Sequence, residues 1–127
     1  MTFCEDVVRA GGRTPIAWFP GLPSSPGTIS QIWTEKASKV IGTDLQGKYL
    51  DSYMGYLNLS NPLLNTANFY LHQLCSTDSC NGTALGGILC LWNDVRVADK
   101  SKTFPHNGMP EGLLSFAESS WIGGPQR

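Results

Sequence analysis

Gly86-Gly87-Ile88-Leu89-Cys90-Leu91-Trp92-Asn93-Asp94 opens on two glycines, runs unbroken through apolar residues and stops on a polar pair. A continuous apolar run of this length suits a strand covered on both faces, as strands of a parallel sheet are. Moving outward, Thr14-Pro15-Ile16-Ala17-Trp18-Phe19 is a second apolar burst, ended by Pro20-Gly21 and followed by the loop Pro23-Ser24-Ser25-Pro26-Gly27. Thr28-Ile29-Ser30-Gln31-Ile32-Trp33 is β-branched and alternating, and so reads as extended. Tyr49-Leu50-Asp51-Ser52-Tyr53 predicts a further strand.

Helical signals fall between these runs. Phe3, Val7 and Ala10 recur at helical spacing before Gly11-Gly12, which predicts a short helix with a glycine C-terminus. Glu35 to Ile41 reads as a weak, partly charged helix ended by Gly42. Asn61-Pro62 resembles an N-cap followed by proline at the first helical position, with Leu63, Ala67, Tyr70, Leu71 and Leu74 lining one face. A last helix starts near Pro110, turns Leu113, Leu114, Ala117 and Trp121 inward, and ends at Gly123-Gly124. Strands alternating with helices imply an α/β chain of parallel β/α units. With no glycine-rich phosphate loop, a dinucleotide or ATP fold has no support.

The chain of 127 residues fits one domain, with no linker or repeat dividing it. Hydrophobic residues at 41% and charged residues at 15% are globular composition. A net charge of −1 gives no basic footprint for nucleic acid. No apolar run approaches the roughly 18–20 residues that span a bilayer. The opening Met-Thr-Phe-Cys-Glu-Asp has no signal-peptide character. Of the four cysteines, Cys75 and Cys80 bracket a polar loop and are close enough to pair locally, while free thiols, with Cys4 and Cys90 buried, are the plainer expectation. No metal site is expected, because Cys-x-x-Cys is absent and His72 and His106 lack ligand spacing. Asn58-Leu-Ser60 and Asn81-Gly-Thr83 match the short glycosylation pattern.

Polar and aromatic residues concentrate where the expected strands end: Trp18, Trp33, Asp51, Tyr53, Trp92, Asn93 and Asp94. In β/α barrels the chemistry sits at those ends. Sugars present apolar C–H faces and rims of hydroxyls, so a sugar pocket needs flat aromatic walls and a few accepting carboxylates. Side-chain alternation along a strand would point Asp51 and Tyr53 the same way. Each residue also has a plainer reading: the tryptophans as core, Asp94 as a turn cap, Asp51 and Tyr53 as a structural hydrogen bond. Trp121, on the last helix, reads as packing.

In the same order the chain resembles the C-terminal part of the catalytic barrel of glycoside hydrolase family 20, the β-N-acetylhexosaminidases. Ile16-Ala17-Trp18-Phe19-Pro20-Gly21 is similar to the family's sixth strand, and Thr28 to Trp33 to the extended segment after it. Asp51-Ser52-Tyr53 resembles the seventh-strand pattern, and Gly86 to Asp94 the eighth strand with its Trp-x-acid end. Leu113 to Trp121 is similar to the closing helix.

The resemblance implies the C-terminal portion of a TIM (β/α)8 barrel, about strands 6 to 8 with their helices. It also implies hydrolysis of terminal N-acetylhexosamine residues by a substrate-assisted retaining mechanism, in which the acetamide oxygen attacks the anomeric carbon. Tyr53 would hydrogen-bond that oxygen, with Asp51 supporting the pocket floor beside it. Trp18, Trp33 and Trp92 would enclose the sugar, and Asp94 would bind its outer hydroxyls. No cofactor is implied; the expected partners are N-acetylhexosamine-containing glycans. Family members are often secreted, periplasmic or lysosomal. Asp94 stands where the family usually has Glu, and the family's Asp-Glu pair, which polarises the acetamide and protonates the leaving group, has no match in the chain. The expectation is therefore a fragment, from a split gene or a truncation, that supplies the pocket wall and is inactive alone, with a separate chain as one candidate source of the N-terminal barrel strands. The alternative is a non-catalytic carbohydrate-binding or structural α/β domain.

Overall fold

A computed structural model of the chain describes residues 2–21, 24–35, 47–53, 55–57, 62–72, 83–92, 99 and 109–122. Helix α1 spans Thr2–Ala10, with Glu5 in its first turn and Arg9 in its last, the charge order that a helix dipole favours. Gly12 ends it at φ 71°, a left-handed conformation open to glycine, and its N–H reaches the Arg9 carbonyl at 2.8 Å. There follow β1 (Ile16–Phe19), β2 (Ile29–Ile32), β3 (Tyr49–Asp51), α2 (Pro62–Leu71), β4 (Ala84–Gly87) and α3 (Met109–Ile122).

The strands form one sheet in the order β1-β2-β3-β4, every pair parallel. Thr28 to Trp33 is thus more than an extended connection. Its centre is a strand paired on both sides, Phe19 opposite Ile32 and Ile32 opposite Asp51. Among the described residues the sheet holds four parallel strands, one for each extended run of the sequence, where the resemblance implies about three, because Ile29 and Ile32 suit a position between two neighbours.

Two expected strands shift. β3 stops at Asp51, because the Asp51 carboxylate accepts the Tyr53 N–H at 2.9 Å and turns the chain out of the ladder. The run from Gly86 to Trp92 is not one strand: β4 begins at Ala84 and ends at Gly87. Tyr49 opposes Ala84 but Leu50 opposes Gly86, so Leu85 is an inserted, bulged residue, and Gly86 takes φ 145°. Beyond Gly87 the chain keeps touching its neighbour: Ile88 N–H donates to the Asp51 carbonyl at 2.8 Å and Cys90 N–H to the Gly55 carbonyl at 2.7 Å. Gly55 permits that approach, since a Cβ there would lie 2.0 Å from the Ile88 carbonyl oxygen.

Ile32 and Tyr49 form the buried centre of the sheet, with Phe19, Tyr53 and Ala84 against them. Helices α2 and α3 pack together through Phe69 and Phe116, edge to face with ring centroids 6.1 Å apart. Both helices bury a different face from the one their apolar spacing suggests. On α2, Asn65 and Phe69 are buried while Leu63, Ala67, Tyr70 and Leu71 are exposed. Asn65 is satisfied there by donating to the Leu57 carbonyl at 3.0 Å. On α3, the small residues Gly112, Ser115 and Ser119 are buried, whereas Leu113, Leu114, Ala117 and Trp121 are exposed. Small residues let the helices approach closely; a Cβ on Gly112 would already lie 2.8 Å from Leu57 and Phe69 side-chain atoms. Cys4 is exposed rather than buried, and Cys90 is buried as expected, its thiol pushed up by that burial. The expected helix from Glu35 to Ile41, the Cys75–Cys80 loop, the Asn58 and Asn81 patterns, Asn61, Leu74, Asn93, Asp94, His106 and Gly123-Gly124 lie outside the described residues, apart from Glu35 and Thr83.

Candidate functional site

All strands of a parallel sheet end on the same side, and three tryptophans meet there. Trp18 is the penultimate described residue of β1, Trp33 directly follows β2, and Trp92 lies beyond β4. Trp18 meets Trp33 at 5.7 Å between centroids with planes at 65°, and Trp92 at 6.3 Å and 61°. These are edge-to-face arrangements, favourable for ring quadrupoles. The Trp33 indole N–H donates to the Pro20 carbonyl at 2.8 Å, which fixes that ring against the end of β1. Exposures of 43%, 37% and 47% for Trp18, Trp33 and Trp92 leave ring surface available to a ligand. A core cluster would have hidden these rings; this one presents them.

Asp51 is held differently. It is buried at the end of β3, and both carboxylate oxygens are engaged, one by the Tyr53 N–H and the other by His72 Nε2 at 2.8 Å. Ser52 beside it is fully buried and donates to the Ile32 carbonyl at 2.7 Å. Strand register sorts these residues by face: Trp18 shares its side of the sheet with Gln31 and Leu50, whereas Asp51 shares the other with Ile32 and Phe19. The sequence-derived residues therefore form two groups, an exposed aromatic one and a buried carboxylate with its bonded turn. Tyr53 is half-buried on the Ile32–Tyr49 cluster at that turn. Asp94 lies outside the described residues.

Two residues enter that sequence reasoning did not single out as site residues. Tyr49, two positions before Asp51 on the strand, is the aromatic that shares its face, and both are buried. Burial, then the Asp51 charge, pushes the Tyr49 phenol above its ordinary value. The i, i+2 spacing was the available signal. His72 has no such signal, because its partner is far away in sequence and only the packing of α2 brings them together.

The opposite end of the sheet is built from polar contacts. Arg9 donates to Ser25 Oγ and Thr28 Oγ1, both at 2.8 Å, and Ser25 donates through its N–H and hydroxyl to the Glu5 carboxylate. These bonds tie α1 to the segment entering β2. The Ser25 hydrogen bonds, ahead of the Arg9 charge, hold the Glu5 carboxyl below its ordinary value. Among the described residues no group of three His, Cys, Asp or Glu side chains is placed to hold a metal, and no helix is long and apolar enough to cross a membrane. Compared with known proteins, the chain matches no family model, and no curated protein matches it.

Proposed function

We propose that the chain supplies the sugar-pocket wall of a β-N-acetylhexosaminidase of the glycoside hydrolase family 20 type, within the C-terminal part of a (β/α)8 barrel. The observation that carries this reading is the meeting of Trp18, Trp33 and Trp92, part-exposed, at the carboxyl ends of parallel strands. The strand order supports a barrel over a doubly wound sheet, because it runs sequentially without the reversal of a nucleotide-binding fold.

On this reading the tryptophan faces stack on the apolar face of an N-acetylhexosamine, and Asp94 accepts bonds from its outer hydroxyls. Tyr53 donates to the acetamide oxygen, which gains charge as it attacks the anomeric carbon. Asp51 acts from beneath by fixing the Tyr53 turn. Proton donation to the leaving group belongs to an Asp-Glu pair, a dipeptide that does not occur in the 127 residues, so on this reading further barrel strands, in the same protein or on a separate chain, supply it. A second reading, a non-catalytic carbohydrate-binding domain, is favoured by the same part-exposed tryptophans.

Titration of the chain with N-acetylglucosamine, followed by tryptophan fluorescence, tests the shared premise. Saturable binding weakened about tenfold by Trp18→Ala or Trp33→Ala is expected, about 1.4 kcal/mol for a lost aromatic wall. Absence of binding would remove both readings. Hydrolysis of a chromogenic N-acetylglucosaminide only when strands bearing the Asp-Glu pair are supplied separates the first from the second.

A further inference from the structure

We infer that Gln31 is a hydrogen-bond acceptor of the tryptophan wall, its amide carbonyl taking one hydroxyl of the sugar; the inference rests on the proposed sugar site and deepens it. Strand register puts Gln31 directly opposite Trp18 and on the same side of the sheet. Trp33, two residues further and still bonded through its N–H to the Phe19 carbonyl, follows the same alternation. Of the strand residues sharing that side, Ile16, Trp18, Ile29 and Leu50 have apolar side chains and Gly86 has none, so Gln31 alone is polar. Aromatic rings take the C–H face of a sugar and leave its hydroxyls unanswered. The one polar side chain that the strands place beside the rings is therefore suited to choose among those hydroxyls.

The orientation of the amide follows from its neighbour. Ser52, fully buried, directs its hydroxyl hydrogen to the Ile32 carbonyl at 2.7 Å. A hydroxyl has one hydrogen, so towards Gln31 it only accepts. The Gln31 NH2 group therefore faces Ser52, with 3.4 Å between Nε2 and Oγ, and the carbonyl Oε1 faces away from it. Among the described residues no other group hydrogen-bonds the Gln31 side chain. Oε1 is not sealed in either: the one buried side-chain oxygen or nitrogen left unpaired among those residues is Glu5 Oε1, at the other end of the sheet. Gln31 is half-buried between its register partners Trp18 and Leu50, and its carbonyl is left for a ligand. A carbonyl whose direction is set before the ligand arrives costs less to order on binding.

Titration with N-acetylglucosamine and with the analogues that each lack one non-anomeric hydroxyl, followed by tryptophan fluorescence, tests this. The parent chain is expected to bind at least one analogue about tenfold more weakly than the full sugar, because an acceptor is then left unpaired. Gln31→Met keeps the length and volume of the side chain without the acceptor. It is expected to lose one such dependence, binding that analogue and the full sugar alike, and to keep any dependence that Asp94 sets. Gln31→Glu retains an acceptor and is expected to retain the dependence. An equal loss on every ligand marks a structural glutamine and overturns the inference, as does a Gln31→Met chain that discriminates every hydroxyl as the parent does. Should Gln31→Met not fold, Gln31→Asn decides, since it withdraws the carbonyl by one methylene; an unchanged hydroxyl dependence there overturns the inference as well. A parent chain that binds none of these sugars removes the proposed sugar site itself. A parent that binds all of them alike leaves the wall standing and overturns the role of Gln31.

Discussion

Trp18 and Trp92 belong to opposite edges of the four-stranded sheet, yet their ring centroids lie 6.3 Å apart. Strands spaced about 4.8 Å apart would hold the edges of a flat sheet about 14 Å from each other. The rings, and the chain beyond β4, lean across that gap over the strand ends, with Trp33 between the edges. A wall of this kind is assembled by the sheet, since none of the three residues is near another in sequence.

The chain alone is expected to show no hexosaminidase turnover. Its sequence has no Asp-Glu dipeptide, and general acid catalysis is worth roughly 10²–10⁴ in rate. A chromogenic N-acetylglucosaminide assay checks this, and turnover matching an intact enzyme would sink the division of labour proposed above.

In an enzyme completed by the missing strands, Tyr53→Phe is expected to lower kcat and kcat/KM together, by on the order of 10²–10³ for one lost donor at a developing charge. Asp94→Ala should raise KM instead, because its hydroxyl contacts exist before and during the reaction. Tyr49→Phe is the informative control, since Tyr49 shares the face of Asp51 within β3. A large kcat loss there, with Tyr53→Phe silent, would transfer the donor role to the buried phenol.

Gly55→Ala should destabilise the fold by about 1–3 kcal/mol, the usual range for overpacking, because its Cβ would strike the Ile88 carbonyl oxygen. Gly112→Ala should cost less, as its nearest neighbours are the ends of Leu57 and Phe69 side chains. Denaturant melts of the two variants rank them; the reverse order would contradict the close approach at Gly55.

Acid should weaken the α1 attachment. The Glu5 carboxyl is held below its ordinary value of 4.5, so the stability it contributes is present above that pH and is lost as pH falls through the lowered value. Glu5→Gln should flatten this acid limb in thermal melts taken from pH 6 downward, values chosen to bracket about two units around the usual carboxylate range. An unchanged acid limb would mean that other carboxylates set it.

Concentration-dependent association is expected, driven by Leu114 and by Trp121, which is 91% exposed. Sedimentation of Leu114→Ser and Trp121→Ser variants should show it reduced; a monodisperse parent chain at all concentrations would argue that these side chains need no cover.

The legible parts of the sequence were those with local causes. The Gly11-Gly12 stop, the Asn61-Pro62 signature before α2 and the apolar burst at Ile16 to Phe19 each act within a few residues, and each marks a helix or strand observed nearby. Helix faces were not legible. The α2–α3 contact runs through Phe69, Phe116 and Gly112, and the other buried positions of the two helices include the polar Asn65, Ser115 and Ser119, so apolar spacing pointed elsewhere. For the site, the three tryptophans were readable as strand-end aromatics, whereas the Asp51–His72 bond depends on how α2 returns to the sheet.

The polar ties among Glu5, Arg9, Ser25 and Thr28 sit where β2 begins, and the tryptophans gather where the strands finish. Substitutions at well-separated positions with no shared partners have nearly additive effects. Ring shape at one end can therefore drift, and ligand preference with it, while the anchoring of α1 stays intact. Evolution, or a designer, has two nearly independent dials on this chain.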